Sequence, residues 1–388
     1  MTSGAATESF AVIGGEGFLG QHLVAGLQQA YPEHQVSSLG LTQRTFTPGY
    51  RFFRTDITDE QSVTESLKLS GATTIFHTAS SHGDASAETC RSINVKGTQH
   101  IVAACQQIGI KKLVFTSTVT IALGEGESLT NIDERLPPKE DNSNPYVSTK
   151  AIAERIVLDA NGQHGLLTCS IRPGAIIGPG ERQVIPGFIS VLKSRQTTVQ
   201  MGDNTNLFDF VHVKDVVNAH ILAAERLDKP PVPANAFDVR LPPIQAAVVN
   251  RHPPTSKTSD QSPPFSSSSD PPLHAHRTRF NQFSAIDNST SPGVAGQVFI
   301  IGGGEPIPFW TFARAVWFEY NGHVPFFTLR LPASAGMAIA QVAEWYAAIV
   351  GIPKEKLGIS KGRMQYVLGH LYFDLEKACA NAENQRTD

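Results

Sequence analysis

Cysteine is scarce in this chain, with four residues in 388, at Cys90, Cys105, Cys169 and Cys379. They are scattered and form no CxxC pair. That excludes a zinc module and a disulfide framework and fits reduced thiols facing the cytosol. No metal site is expected. Positive charge is also short: 32 Lys and Arg against 35 Asp and Glu leave a net charge of -3, with no basic stripe. Binding to a phosphate backbone needs clustered cations, so nucleic acid is excluded as a partner. Met1 to Ser9 lack the charged-then-apolar profile of a signal peptide. Long apolar runs are nearly absent. The exception, Leu331 to Ile352, carries Glu344 inside it, and a carboxylate at the bilayer centre costs about 2.5–3.5 kcal/mol. Lying in the membrane interface, or packing as an ordinary helix, is therefore expected over spanning.

What is present reads as globular, with 40% hydrophobic and 17% charged residues. The length suits one large α/β domain or two domains. Phe10–Ile13 is an apolar run that stops at glycines, and Phe18, Leu19, Leu23, Val24 and Leu27 then recur at helical spacing. Phe52–Phe53, Thr74–Phe76, Lys112–Phe115 and Thr168–Ile171 read as further short buried strands, and Ile93–Ile108 and Tyr146–Ala160 as helices. Such alternation predicts a Rossmann-type doubly wound parallel sheet, with its ligand crevice at the carboxyl ends of the strands. Residues 8–230 form this nucleotide-binding part. From 240 to 293, Pro-Pro pairs and a serine run replace apolar patterning, so this stretch reads as a disordered insertion or as sequence foreign to the fold. Residues 294–378 follow as a smaller, substrate-binding region, including the segment 331–352.

Chemistry enters with Gly14-Gly15-Glu16-Gly17-Phe18-Leu19-Gly20, between a strand and a helix. Glycines let the chain turn sharply and let the backbone approach a pyrophosphate, which the helix N-terminus then meets with free N–H groups. For NAD, the second strand should end in an acid that accepts from the ribose 2′-OH. Gly40 stands there, and Arg44 follows closely. An arginine can meet a 2′-phosphate, so NADP is open beside NAD; Arg44 can equally be a solvated surface charge. Asp56, with Ile57, closes the third strand, where an adenine amino group could be read. In Tyr146-Val-Ser-Thr-Lys150 the spacing puts both side chains on one helix face. An ammonium there should pull the phenol pKa down from about 10. Tyrosine then takes an alcohol proton while hydride leaves for a nicotinamide. Thr118, with Ser117 as second choice, ends the fifth strand and offers a hydroxyl to hold the substrate oxygen.

Together these residues resemble the extended short-chain dehydrogenase/reductases. His77-Thr-Ala-Ser80, Asn94-Val-Lys-Gly-Thr98, Arg172-Pro-Gly174 and Asp209-Phe-Val-His-Val213 are similar to the 3-beta-hydroxysteroid dehydrogenase family. Within it, Val294 to Ile301 and Gly304 to Trp310 resemble the sterol-4-alpha-carboxylate 3-dehydrogenases (decarboxylating) of sterol biosynthesis. The resemblance implies an NAD or NADP oxidoreductase with Ala79 and Pro173 among its cofactor contacts. Tyr146 would deprotonate a sterol 3-beta-hydroxyl, Thr118 would hold it, and Lys150 would tune the tyrosine and grip the ribose. The resulting β-keto acid would lose CO2 without further machinery. The resemblance also implies the cytosolic face of the endoplasmic reticulum membrane, peripheral membrane contact, other sterol-biosynthesis enzymes as company, and a homodimer. Two alternatives stay open: another extended reductase, for a steroid without the carboxylate, a flavonoid-like ketone or a nucleotide sugar, and a catalytically silent dinucleotide-binding protein.

Overall fold

Why these segments fold as they do is visible in the computed structural model, which describes residues 8–46, 48–83, 85–124, 128–227, 294–351, 360–375 and 377–378. The Pro/Ser-rich stretch 240–293 and Cys379 lie outside the described residues. Seven short strands form the central sheet: β1 (Ser9–Ile13), β2 (Gln35–Gly40), β3 (Tyr50–Arg54), β4 (Thr74–His77), β5 (Lys112–Thr116), β6 (Leu167–Pro173) and β7 (Val298–Ile301). All pair in parallel, in the spatial order β3-β2-β1-β4-β5-β6-β7. The doubly wound sheet expected from the alternation is what forms. Its order reverses between β1 and β4, which opens the ligand crevice beyond their carboxyl ends. β7 comes from beyond the 240–293 stretch, so the nucleotide-binding sheet takes its last strand from the C-terminal side of the chain.

Strand alternation explains the two covered faces. Phe10 and Val12 point one way, into a core shared with Leu23 and Leu27 of α1 (Phe18–Ala30) and with Val213, Val216 and Ile221. Ala11 and Ile13 point the other way, packing with Val63 and Leu67 of α2 (Glu60–Ser70), Ile101 of α3 (Gly97–Ile108), and Ala153 and Val157 of α4 (Pro145–Asp159). Val213–Glu225 forms α5, which contacts α1 on the first face. Before α3 the chain winds as a π-helical turn, Arg91–Lys96, where a continuous α-helix is expected from the sequence.

A third core joins the C-terminal region to the expected nucleotide-binding part: Phe309, Trp310, Trp317 and Phe373 pack with Phe188 and Phe208, which the 8–230 boundary places on the other side. Both indoles are satisfied there: Trp310 Nε1 donates to the Met201 carbonyl and Trp317 Nε1 to the Phe188 carbonyl, each at 2.8 Å. The apolar 331–352 segment contains a helix, Ala333–Val350. Among the described residues no helix is long and apolar enough to cross a membrane.

Candidate active site

The glycine turn sits at the reversal point of the sheet. Gly14 has φ +87°, which a residue with a Cβ adopts only under strain, and a Cβ there would come within 2.7 Å of the Ala79 nitrogen. A Cβ on Gly20 would run into the Gly14 carbonyl, so α1 packs against the turn only with glycine at that place. Gly17 is the N-cap of α1 and has no side-chain acceptor for the first-turn N–H groups. Those groups remain available to an anion. Gly15 lies against Ser38 of β2, and Phe18 and Leu19 open the helix. This arrangement fits the pyrophosphate of a dinucleotide.

The neighbouring positions divide. Gly40 ends β2 with nothing within 4 Å of the place a Cβ would take. Arg44 is exposed, and its backbone N–H donates to the Glu16 carboxylate at 2.7 Å. Asp56 Oδ1 accepts from the Thr58 N–H and hydroxyl, closing a turn after β3. Ile57 lies under Gly97 of α3. Ala79 stands against Gly14, following Thr78, whose N–H and hydroxyl both donate to the Ile13 carbonyl. Pro173, at the end of β6, is buried and pairs with Ile301.

Helix α4 positions the reactive pair. Asn144 caps it by accepting from the Tyr146 N–H at 3.0 Å, and Pro145 occupies the first turn, where a missing N–H costs nothing. Tyr146, Lys150 and Glu154 then follow at four-residue spacing on one face. Glu154 is buried and receives the Arg172 guanidinium, with a shortest contact of 2.5 Å, and the Ser170 hydroxyl at 2.8 Å. This pair ties the helix to β6. Lys150 is buried too; its ammonium donates to the Thr116 carbonyl at 2.7 Å and stands 4.2 Å from the Phe115 ring centroid. Burial pushes it down to about 7, opposed by the Glu154 charge.

The tyrosine differs from the expectation. Burial raises the Tyr146 phenol above its ordinary value, the Ser80 hydroxyl beside it pulls the other way, and the Cys90 thiol raises it further. The expected lowering by Lys150 is not what this arrangement produces, because desolvation of the phenol is the dominant influence. Thr118 follows β5 in an extended conformation and caps the short turn Val119–Ala122 by accepting from the Thr120 N–H. Its hydroxyl also contacts that of Thr120 at 3.0 Å, and the turn packs against α4. Ser117 does not join the crevice. It is buried, and its hydroxyl faces Glu154 on the helix side without closing a hydrogen bond.

Three contributors were not singled out by sequence reasoning. Ser80 is held by the Asn94 Oδ1, which also accepts from the Ser81 N–H, while Asn94 Nδ2 donates to Ser81 and to Thr149 of α4. The π-helical turn thus fastens the loop after β4 to the catalytic helix, and such turns recur at functional sites. Glu16 is 6% exposed within the glycine turn. His77, driven down to about 3 by burial and by Lys150, is kept neutral beside the site. An acid inside the glycine turn, and the His77–Ser80 and Asn94–Thr98 motifs, were visible in the sequence, but their contacts were not. Among the described residues no cluster of His, Cys, Asp and Glu could hold a metal ion.

Solved structures with this fold include gox2253 (20% identity, 97% of this chain and 92% of that one, TM-score 0.64). Another is the Thermus thermophilus UDP-glucose 4-epimerase in complex with NAD (21% identity, 84% and 86%, TM-score 0.56). At these identities they speak for the fold. Sequence relatives reach further. The sterol-4-alpha-carboxylate 3-dehydrogenase (decarboxylating) of Candida albicans is 28% identical over 96% of this chain and 91% of its own length. Its counterpart in Schizosaccharomyces pombe is 29% identical over 94% and 89%. The mouse enzyme of that name is 36% identical over 56% of this chain and 59% of its own. The dinucleotide turn, the Tyr146–Lys150 helix and a family match over residues 11–239 agree, and the chain belongs to the 3-beta hydroxysteroid dehydrogenase/isomerase family.

Proposed function

We propose that this protein oxidises the 3-beta-hydroxyl of a 4-alpha-carboxysterol with accompanying decarboxylation, as an enzyme of sterol biosynthesis. The observation that carries this reading is the reach of the likeness. The fungal relatives that bear this activity in their names align over 94–96% of the chain, the C-terminal region included, and not over the nucleotide-binding half alone.

When bound, NAD or NADP supplies the hydride acceptor. The glycine turn and the α1 N-terminus would hold its pyrophosphate. Tyr146 takes the hydroxyl proton as the C3–H bond breaks, and Ser80, beside the phenol, stabilises the phenolate that does this. Thr118 holds the substrate oxygen, with Thr120 orienting its hydroxyl. Lys150, on α4 with its ammonium at the end of β5, would hold the nicotinamide ribose. The product is a 3-ketone with a carboxylate on the adjacent carbon. Its C4–carboxylate bond then breaks, CO2 leaves, the electron pair enters the enolate of the ketone, and a proton returns to C4. No residue is needed for that second step beyond those that made the ketone.

The substrate is a membrane lipid, and the chain carries a surface suited to one. Val342, Trp345, Tyr346 and Ile349 recur at helical spacing along Ala333–Val350 and are exposed, as are Val324, Phe326 and Phe327 just before it. Glu344 does not interrupt this stripe, since its carboxylate accepts from the Lys361 N–H. The reading includes peripheral contact through this stripe at the cytosolic face of the endoplasmic reticulum, homodimers, and association with other sterol-biosynthesis enzymes.

The test is turnover of a 4-alpha-carboxysterol by the purified chain with NAD and NADP in parallel. A 3-ketosterol and CO2 in equal amounts are expected, and Tyr146→Phe should abolish both while leaving cofactor affinity nearly unchanged. Oxidation of 3-beta-hydroxysterols only when they lack the carboxylate would overturn the substrate assignment.

A further inference from the structure

We propose that Glu16, within the glycine turn, supplies the negative charge that β2 lacks and selects NAD(H) against NADP(H). The inference rests on the dinucleotide-binding reading of that turn. The acid that reads the ribose in such folds stands at the carboxyl end of the second strand, and here that place is Gly40, with no side chain. Ser38 shares a strand face with Gly40, and its hydroxyl donates to Glu16 Oε1 at 2.8 Å. The loop that follows β2 closes on the other oxygen: the Arg44 and Thr45 N–H groups donate to Oε2 at 2.7 and 2.8 Å. The Tyr50 hydroxyl completes the set at 3.1 Å from Oε1. The carboxylate therefore occupies the corner between the glycine turn, the end of β2 and the β2–β3 loop, where the adenosine ribose of a dinucleotide is read.

Three full hydrogen bonds, and a Tyr50 hydroxyl proton shared with the Thr45 carbonyl, fix it there in the ionised form. Burial alone would raise its pKa, but the bonds from Arg44, Ser38, Thr45 and Tyr50 outweigh that and hold the carboxyl below the ordinary range. A 2′-hydroxyl is tolerated beside such a charge, whereas a 2′-phosphate brings like charge against a carboxylate that its hydrogen bonds hold in place and favour in the ionised form. Glu16 also sets the course of the chain at Arg44, the one cation that sequence considerations offer to a 2′-phosphate. The same side chain that repels the phosphate thereby fixes the backbone from which Arg44 extends; Arg54 of β3, in register with Gly40, is the other cation at this end of the sheet.

Equilibrium binding of NADH and NADPH to the purified full chain, without sterol, tests this through the quenching of protein fluorescence. The wild type should bind NADH at least about tenfold more tightly. Glu16→Gln should tighten NADPH by about tenfold and leave NADH within about threefold, narrowing the ratio. Glu16→Ser, which removes the charge without asking the corner to hold an amide, should act in the same direction. Adding Gly40→Asp to Glu16→Gln should restore the preference, because the corner beside Gly40 has room for a side chain. Equal binding of the two cofactors by the wild type would overturn the proposal. So would a parallel loss of both affinities in the two Glu16 variants, which would make the residue a loop scaffold only. Binding of neither cofactor by the wild type would instead overturn the dinucleotide reading itself.

Discussion

At Tyr146 two neighbours pull in opposite directions. Burial and Cys90 raise the phenol pKa, and the Ser80 hydroxyl lowers it. Alcohol oxidation needs the deprotonated phenol, so below that pKa the forward rate rises with pH. Ser80→Ala removes the lowering influence, moves the pKa further up, and should displace the whole kcat/KM profile to the alkaline side. At a fixed pH of 7–8 the loss is about tenfold for each unit of displacement. Cofactor binding should not change. A profile whose shape and position are unaltered, with only the plateau lowered, would mean that Ser80 merely supports the Asn94 network. Ser117 shows the opposite lesson. It adjoins Thr118 in sequence, but successive residues of an extended chain face opposite sides, and its hydroxyl lies against Glu154.

Helix α4 is held by a buried ion pair to β6 as well as by the apolar face that carries Ala153 and Val157. Arg172 and Glu154 are both nearly inaccessible, and Ser170 adds a third bond to the same carboxylate. Removing one member strands the other charge, so Arg172→Met should lower unfolding stability by about 3–5 kcal/mol, read from urea denaturation. Replacing both, as Arg172→Met with Glu154→Leu, should recover most of that loss, because no lone charge is then left in the interior. If the double variant is no more stable than the single, the pair's contribution lies in its hydrogen-bond geometry and not in charge compensation. Turnover should fall in the single variant by more than stability alone predicts, since Lys150 and Tyr146 lie one and two turns away from Glu154 on the same face.

On the scale of the whole molecule, the apolar stripe of Ala333–Val350 and the aromatics before it face solvent. Phe326 is 99% and Trp345 64% exposed. Phe326→Ser with Trp345→Ser should weaken co-sedimentation with lipid vesicles by about tenfold or more, without changing the far-UV circular dichroism. Vesicle binding equal to that of the wild type would remove this surface from the membrane reading. Much of this architecture was legible beforehand. Apolar runs stopping at glycines marked β1 and its turn, and the alternation of short strands with helices marked the doubly wound sheet. The four-residue spacing of Tyr146 and Lys150, within the apolar pattern of Tyr146–Ala160, marked the helix that forms α4. These signals are local: a capping residue, a left-handed glycine or a four-residue spacing acts within a few residues of itself. The sequence by itself thus determined the fold class, the dinucleotide turn and the alignment of Tyr146 with Lys150. Only the tertiary structure decided that Val298–Ile301 closes the nucleotide-binding sheet, that Lys150 attends to Thr116 while Ser80 attends to the phenol, that Ser117 turns away, and that Glu16 reaches the corner beside Gly40. Each of these depends on burial and on hydrogen bonds between residues far apart in the chain, and desolvation has no signature in residue spacing.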